Sequence, residues 1–490
     1  MVWAIGLLAF AMRLVSLVNG GGFDALMGYD EGVYFSSANG LVAGLMPYRD
    51  FVLVHPPGIL LILSPFAALG KLVGDPTAWT VARLFVMLVG AANAMMITIV
   101  GRRVGTWAGL TAGLLYAVWT PAIHVERTTM LEAFVLAGML VALVALRTPR
   151  VSTARLVLAG AALGMAYSVK LWGAVPLLVI VGWLLVSRAW RSSVVVGASA
   201  LGVIALISGP FFALAPHRMF DLVISAQMNR GRTGSSTSGR LDRILNLADV
   251  DPTIATRGSV ELTIGLAFAV VLLSVLAWRI ARARLWVALL AAQIAVLMVV
   301  PVFFAGYSSF AGPALMLVIG AAVEVVRRWV GRRSEMTRKV GWSALFVGTS
   351  VAIVASAVMT LQPQTRDFGK PERIEVFTEG ALCVGSDSPG MLLLTNTLSR
   401  NLSRGCPVIF DVDGSIYDVN SGENPQRLTS TERRRASPAY QATLTRYFDA
   451  NDVLLLHRVE ADGLSPQTVA TLAQRPVLWE HGNTKVLGSN

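Results

Sequence analysis

Charge is scarce in this chain. Of its 490 residues only 14% are charged, while 54% are hydrophobic and the mean hydropathy is +0.62. Soluble domains carry roughly 25% charged residues, so a protein wetted on all sides is excluded. Histidine is sparse too, with five residues and no H-x-x-x-H spacing that would favour a metal. Lysine is nearly absent from the tail. After Asp413 the chain has only Lys485, which removes the phosphatase reading invited by Val408-Ile409-Phe410-Asp411-Val412-Asp413-Gly414. That haloacid-dehalogenase-like chemistry needs a downstream lysine and a further acidic pair, and a strand ending in an Asp-Gly turn explains the stretch more simply. The N-terminus lacks a basic flank and a small-residue cleavage site, so Val2 to Val18 reads as an uncleaved first span.

What is present is a succession of apolar runs of 15–22 residues up to about residue 361, each a candidate transmembrane span. The net charge of +12 sits in short basic clusters between these runs. That is the orientation signal of membrane proteins, and nucleic acid is not an expected partner. The clusters are Arg102-Arg103, Arg147/Arg150/Arg155, Arg188/Arg191, Arg279/Arg282/Arg284 and Arg327 to Lys339. Placing all five in the cytoplasm requires an even number of spans between neighbours. The expected spans are 2–18, 79–100, 106–120, 130–146, 156–170, 172–187, 194–214, 259–278, 285–304, 311–326 and 340–361. Ile59 to Val73, short and interrupted by Pro65, is expected to lie at the outer interface. The predicted fold is thus a polytopic α-helical membrane protein of about 11 transmembrane helices, N-terminus in. Two domains are expected: 1–361, with an outer loop at 19–78, and an extracytoplasmic α/β domain at 362–490.

In the tail the apolar runs shrink to strand length: Ala381–Val384, Val408–Phe410, Val453–Leu456 and Val477–Leu478. They alternate with helical stretches at Met391–Asn401 and Tyr440–Phe448. Both cysteines of the chain, Cys383 and Cys406, fall here, and an even pair outside the cytoplasm favours a disulfide over two buried thiols.

Three polar stretches interrupt the membrane region on its outer side. The first holds Tyr29-Asp30-Glu31-Gly32-Val33-Tyr34, then Gly44 to Asp50, including Tyr48, and then His55-Pro56-Pro57-Gly58. Adjacent carboxylates at an interface are costly unless hydrated or used, and one of a confined pair can serve as a base. A solvated loop with an aspartate capping a helix accounts for the same residues. The second stretch is His124-Val125-Glu126-Arg127 with Glu132, a polar group at the mouth of a span; a self-satisfied Glu126–Arg127 pair is its bland counterpart. The third is the arginine-bearing loop from about 215 to 258, with Arg230 and Arg232 beside a flexible Gly/Ser/Thr centre. Guanidinium forks match phosphate oxygens, so this loop and the isolated Lys170 are candidates for a lipid phosphate. A solvated loop against anionic headgroups is the alternative. A divalent metal at His55, His124 and the nearby acids stays open.

These motifs resemble the polytopic GT-C glycosyltransferases, in the branch of the protein O-mannosyltransferases and the lipid A aminoarabinose transferases. The resemblance rests on Asp30-Glu31, on Gly44 to Asp50 as a Gly-x-x-Pro-Tyr-x-Asp element, and on His55-Pro56-Pro57. It covers the N-terminal third and departs at His55, where lysine is common in the lipid A branch. It implies an inverting transfer of a sugar from a polyprenyl-phosphate carrier to a glycan, lipid or protein outside a bacterial plasma membrane. Asp30 would be the base, with Glu31 supporting it. Tyr34, Tyr48, Asp50, His55, Glu126 and Glu132 would contact substrate or acceptor, and Lys170, Arg230 and Arg232 the lipid phosphate. The rival classes are a transporter or flippase, whose paired repeats broken at mid-membrane are not found here, and a non-catalytic glycan-binding scaffold. The preference for Ala, Val, Gly and Arg over Lys is that of a high-GC bacterium.

Overall fold

The computed structural model describes residues 1–148, 151–230, 236–245, 260–333, 371–419, 428–459 and 461–489, with isolated positions between 341 and 358. The chain is mostly helical and divides into two compact units that do not follow chain order. One contains Met1–Asn19, Phe85–Leu206 and Ser235–Pro363; the other contains Gly20–Leu84, Ile207–Gly234 and Gln364–Asn490. The expected boundary at 361/362 separates segments by sequence, whereas compactness groups the first polar stretch with the C-terminal residues.

Apolar helices fall on the expected spans, mostly within the first unit. Among the described residues, six helices are long and apolar enough to cross a membrane: Val2–Asn19, Asp75–Gly101, Trp190–Leu214, Glu261–Trp278, Ala281–Val299 and Gly306–Val330. A seventh candidate is the pair Thr106–Val118 and Thr120–Glu126, bent by 60°. The break falls where Trp119 turns extended and Pro121 starts the second helix. Glu132–Ala145, Thr153–Val169 and Leu171–Val186 are apolar but shorter, near the lower limit for a crossing. The expected span at 340–361 falls largely outside the described residues. Close packing of these helices relies on small side chains. A Cβ on Gly164 would sit 2.5 Å from the carbonyl oxygen of Ala200, so only glycine allows that backbone approach.

The second unit contains Gly58–Val73, a 16-residue apolar helix with Pro65 inside it. Its C-terminal part holds a four-stranded sheet: β1 (Val384–Ser386), β2 (Val453–Leu456), β3 (Val477–His481) and β4 (Thr484–Leu487), in the order β1-β2-β4-β3. β1 and β2 are parallel and the other pairings antiparallel. A parallel neighbour needs a crossover, supplied by helices that include Pro438–Asp449. This helix lays Tyr440, Leu444, Tyr447 and Phe448 against Leu454, Leu456 and Leu487 of the sheet. The stretch Val408–Phe410, expected as a strand, is not one. Its apolar side chain is used elsewhere: the Phe410 ring packs edge-on against Phe51 at 4.9 Å and covers Gly40, where a Cβ would lie 2.6 Å from it.

Cys383 and Cys406 form a disulfide with a Cα–Cα separation of 5.6 Å. It closes a segment with a sequence separation of 23 residues, and a cross-link of that size stabilises by about 3 kcal/mol. Thermal unfolding of the full chain with and without dithiothreitol should show a lower midpoint on reduction, and the Cys383→Ala/Cys406→Ala variant should reproduce that loss.

Candidate functional site

Asp30 and Glu31 occupy the first turn of the helix Tyr29–Val42, whose N-cap is Gly28. The aspartate therefore does not cap the helix, although both carboxylates face the positive end of its dipole. Their environments are opposite. Asp30 is exposed, whereas Glu31 is fully buried. Arg83 grips Glu31 with two bonds, Nε to Oε2 at 3.1 Å and Nη2 to Oε1 at 2.8 Å, and the amide of Met27 adds a third at 2.9 Å. The same guanidinium donates to the carbonyls of Phe23 and Ala25 and lies 3.9 Å over the Trp79 ring. Glu31 was expected as a catalytic residue that supports Asp30. Its oxygens are instead committed to holding the polar segment that precedes the helix, because a buried carboxylate must be paired.

The Gly44 to Gly58 stretch is also largely self-bonded. Asp50 accepts from the Met46 amide at 2.7 Å and from both sides of the Arg49 fork. The hydrogen bonds from Arg49 and then from Met46 pull its pKa down to about 2. Tyr48 takes a left-handed backbone at φ 66°, rare for a bulky residue, and its hydroxyl donates to the His55 carbonyl at 2.7 Å. Tyr34 meets the His55 ring edge-on at 5.7 Å. Tyr34, Tyr48 and His55 are buried, so this group shapes the loop.

Nothing local in the chain hints at what surrounds Tyr29. Its hydroxyl donates to Asp411 Oδ1 at 3.1 Å and accepts from the Asp413 amide at 3.0 Å. The Arg458 guanidinium lies 3.6 Å over the ring and donates to Asp413 Oδ2 at 2.9 Å. Gly414 donates its amide to Asp411 Oδ1 at 2.8 Å. Burial, and then the neighbouring Asp413, push Asp411 up to about 6, with Asp30 adding to the rise. Close approach is possible because two glycines meet: a Cβ on Gly32 would lie 2.8 Å from the backbone of Gly390. The Val408 to Gly414 segment, set aside as a phosphatase motif, thus supplies the groups that hold the residue next to Asp30.

In the other unit Glu126 is buried and its bonding is saturated. It pairs with Arg13 and accepts from Asn93 at 2.7 Å and from Tyr116 at 2.8 Å. Arg127 donates to both the carbonyl and the hydroxyl of Ser16 at 2.7 Å. The pairing of Glu126 with Arg127 considered from sequence is not formed. Both residues tie the first helix to the bent pair, and the carboxylate oxygens of Glu126 are committed to Arg13, Asn93 and Tyr116. Glu132 and Lys170, assigned from sequence to different ligands, bind each other at 2.6 Å. Lys170 also lies 4.3 Å from the centre of the Trp172 ring and 4.2 Å from that of Tyr307. Glu132 Oε2 is buried without a hydrogen-bond donor.

Of the loop arginines, Arg232 lies outside the described residues. Arg230 lies 6.0 Å from the centre of the Tyr417 ring. A second guanidinium, that of Arg433, lies 5.3 Å from the same ring. Arg433 is only 5% exposed, yet none of its three guanidinium nitrogens meets an acceptor, an anomaly for a buried cation. It stands in the run Arg433-Arg434-Arg435 behind a Thr429/Glu432 capping box, a pattern that reads from sequence as a solvated helix face. Among the described residues no group of three or more His, Cys, Asp or Glu is placed to hold a metal.

The fold has clear relatives among solved structures. It superposes on ArnT from Cupriavidus metallidurans in the apo state with a TM-score of 0.61, at 17% identity over 99% of this chain and 97% of that one. The same enzyme bound to undecaprenyl phosphate gives 0.56 at 18% identity, again over 99% and 97%. The Archaeoglobus fulgidus oligosaccharyltransferase AglB, in complex with an inhibitory peptide and a dolichol-phosphate, gives 0.55 at 10% identity over 93% of this chain and 69% of that one. No curated protein matches by sequence. The architecture is that of a polytopic GT-C glycosyltransferase, a multi-pass membrane protein. Residues 53–305, just over half of the chain, match the model of glycosyltransferase family 87, and the chain belongs to that family. It is a glycosyltransferase; the transporter and scaffold alternatives give way.

The Glu31–Arg83 pair yields a direct prediction. Removing one partner of a buried ion pair costs about 3–5 kcal/mol, whereas replacing both with apolar groups is far milder. In thermal unfolding, Arg83→Met should therefore be more damaging than the double variant Arg83→Met/Glu31→Leu.

Proposed function

We propose that this chain transfers a sugar from a polyprenyl-phosphate carrier to an acceptor hydroxyl on the extracytoplasmic face of a bacterial plasma membrane, with Asp30 as the base. The observation that carries this reading is the split between neighbouring carboxylates. Glu31 is locked by Arg83 and buried, which leaves Asp30 exposed at the start of a rigid helix. A solvent-facing carboxylate on a fixed backbone can take a proton from a hydroxyl held against it. The fold's likeness to an ArnT structure holding undecaprenyl phosphate supports the donor class.

In the proposed step the acceptor hydroxyl gives its proton to the Asp30 carboxylate, and its oxygen bonds to the anomeric carbon. The bond from that carbon to the phosphate oxygen breaks, and its electron pair leaves with the polyprenyl phosphate. Attack opposite the leaving group inverts the anomeric configuration. The leaving phosphate needs cationic contacts. Arg230 and Arg433, both over Tyr417, fit that need, and the bare guanidinium of Arg433 favours an anionic ligand. Glu132 Oε2, buried and without a donor, suits a hydroxyl, while Lys170 serves to hold Glu132. The disulfide supports an oxidising compartment for residues 371–489. An outer domain at 362–490 and a membrane domain at 1–361 remain the working division, with a plasma-membrane location, and glycan, lipid and protein acceptors fit equally.

The test reconstitutes the full chain in nanodiscs with radiolabelled polyprenyl-phosphate sugars, including mannose and arabinofuranose, and cell-envelope acceptors. Asp30→Asn should lower transfer at least about a hundredfold while donor binding persists, in the range expected for a lost general base. Transfer at the unaltered rate in this variant would rule Asp30 out. Arg433→Met should weaken binding of undecaprenyl phosphate by about 10–100-fold, the worth of one charge-assisted contact. Unchanged affinity would leave that arginine a packing feature.

A further inference from the structure

Tyr29 and Asp30 are consecutive at the start of one helix, and Tyr29 is the residue there that the C-terminal segments hold. Its phenol takes part in two hydrogen bonds and its ring lies under a guanidinium. Those partners are themselves fixed. Arg458 donates to Asp413 and lies 3.7 Å from Asp462, and the amides of His457 and Arg458 bind the Asp387 carboxylate at 2.6–2.9 Å. Arg434 lies 3.4 Å from Asp413 and donates to the Asp462 carbonyl at 3.0 Å. A surface contact would not require a buried network of this kind. It fixes one turn of backbone, and that turn carries the proposed base.

We propose that Tyr29, Asp411 and Arg458 form a latch by which the C-terminal segments set the position and basicity of Asp30. These are positioning residues: they act through Asp30 and do not touch the reacting atoms. Functionally the latch rests on reading Asp30 as the base, while its electrostatic part can be tested without it. Among the described residues, the groups facing Asp411 include Tyr29 and Asp30 from the Tyr29–Val42 helix, and Asp413 and the Gly414 amide from its own turn, with the Arg458 guanidinium beyond Tyr29 and Asp413. With Asp411 held up at about 6, it is ionised at neutral pH and above. A neighbouring negative charge disfavours ionisation of the group at position 30 and raises its pKa. A carboxylate so raised is a stronger base, provided it remains ionised at the working pH.

Position 30 can report this without substrate. Both native cysteines are consumed in the disulfide, so Asp30→Cys introduces a single thiol at an exposed site. Its alkylation by iodoacetamide, followed from pH 6 to 10 in the full chain, gives the thiol pKa. The helix N-terminus at this position by itself lowers a thiol pKa, so the reading is the change that removal of Asp411 makes and not the absolute value. Adding Asp411→Asn should lower the thiol pKa by roughly half a unit to one unit, because a nearby like charge has been removed. Adding Asp418→Asn, where the native carboxylate is paired with Arg218, should leave it unchanged. Equal thiol pKa values with and without Asp411→Asn would overturn the electrostatic half of the latch.

The positional half is read in transfer assays with polyprenyl-phosphoryl mannose and polyprenyl-phosphoryl arabinofuranose. Tyr29→Phe keeps the ring under Arg458 and removes only the hydroxyl. It should lower kcat about tenfold with donor KM unchanged, whereas Arg458→Lys should impair both folding and rate. Tyr29→Phe at the native kcat would overturn the positional half. Full activity in Asp30→Asn would instead refute the base itself, even if the thiol shift is observed, so the two failures are separable.

Discussion

The buried ion pair between Glu31 and Arg83 is the constraint on which the candidate site depends. Two adjacent carboxylates at the start of a helix would repel each other and compete for the same protons. Burying one against a guanidinium, with the Met27 amide on the same carboxylate, commits its oxygens and ties the segment before the helix to residue 83. The other carboxylate keeps its access to solvent and inherits a rigid backbone. The arrangement separates a buried, paired carboxylate from an exposed one that the sequence writes as neighbours, and the exposed one is the proposed base.

The same logic recurs across the molecule. Arg13 with Glu126, and Lys170 with Glu132, are buried ion pairs reinforced by neighbouring hydroxyl, amide or aromatic groups. In an apolar, mostly helical chain such pairs fix which helices meet, because each charge is tolerated only opposite its partner. Among the described residues Arg433 departs from this, a buried guanidinium without an acceptor. In the proposed reaction, whose leaving group is a phosphate, a cation kept bare has a ligand to meet. The network around Tyr29 adds that the tail is no appendage: the residues that follow the disulfide reach back to the first helix of the polar segment.

Much of the fold was legible in the sequence. Apolar run length and the spacing of arginine clusters located the helices, since bilayer thickness and lipid solvation impose a length and forbid charge. The motif Asp30-Glu31 with Gly44 to Asp50 and His55-Pro56-Pro57 pointed to the class of enzyme that the fold and the family match then established. The tail was read less well. Val408–Phe410 has the composition of a strand, but Phe410 fills the space over Gly40, and nothing local records that demand.

The sequence by itself determined the solvent of the protein, the places where its helices run and the neighbourhood of the candidate base. These follow from composition and spacing, which act locally. Only the tertiary structure decided which of two adjacent carboxylates is spent on an ion pair, that Glu132 and Lys170 serve each other, and that Tyr29 is held by Asp411 and Arg458. A charged side chain carries no mark of its partner; burial beside a residue distant in the chain assigns it.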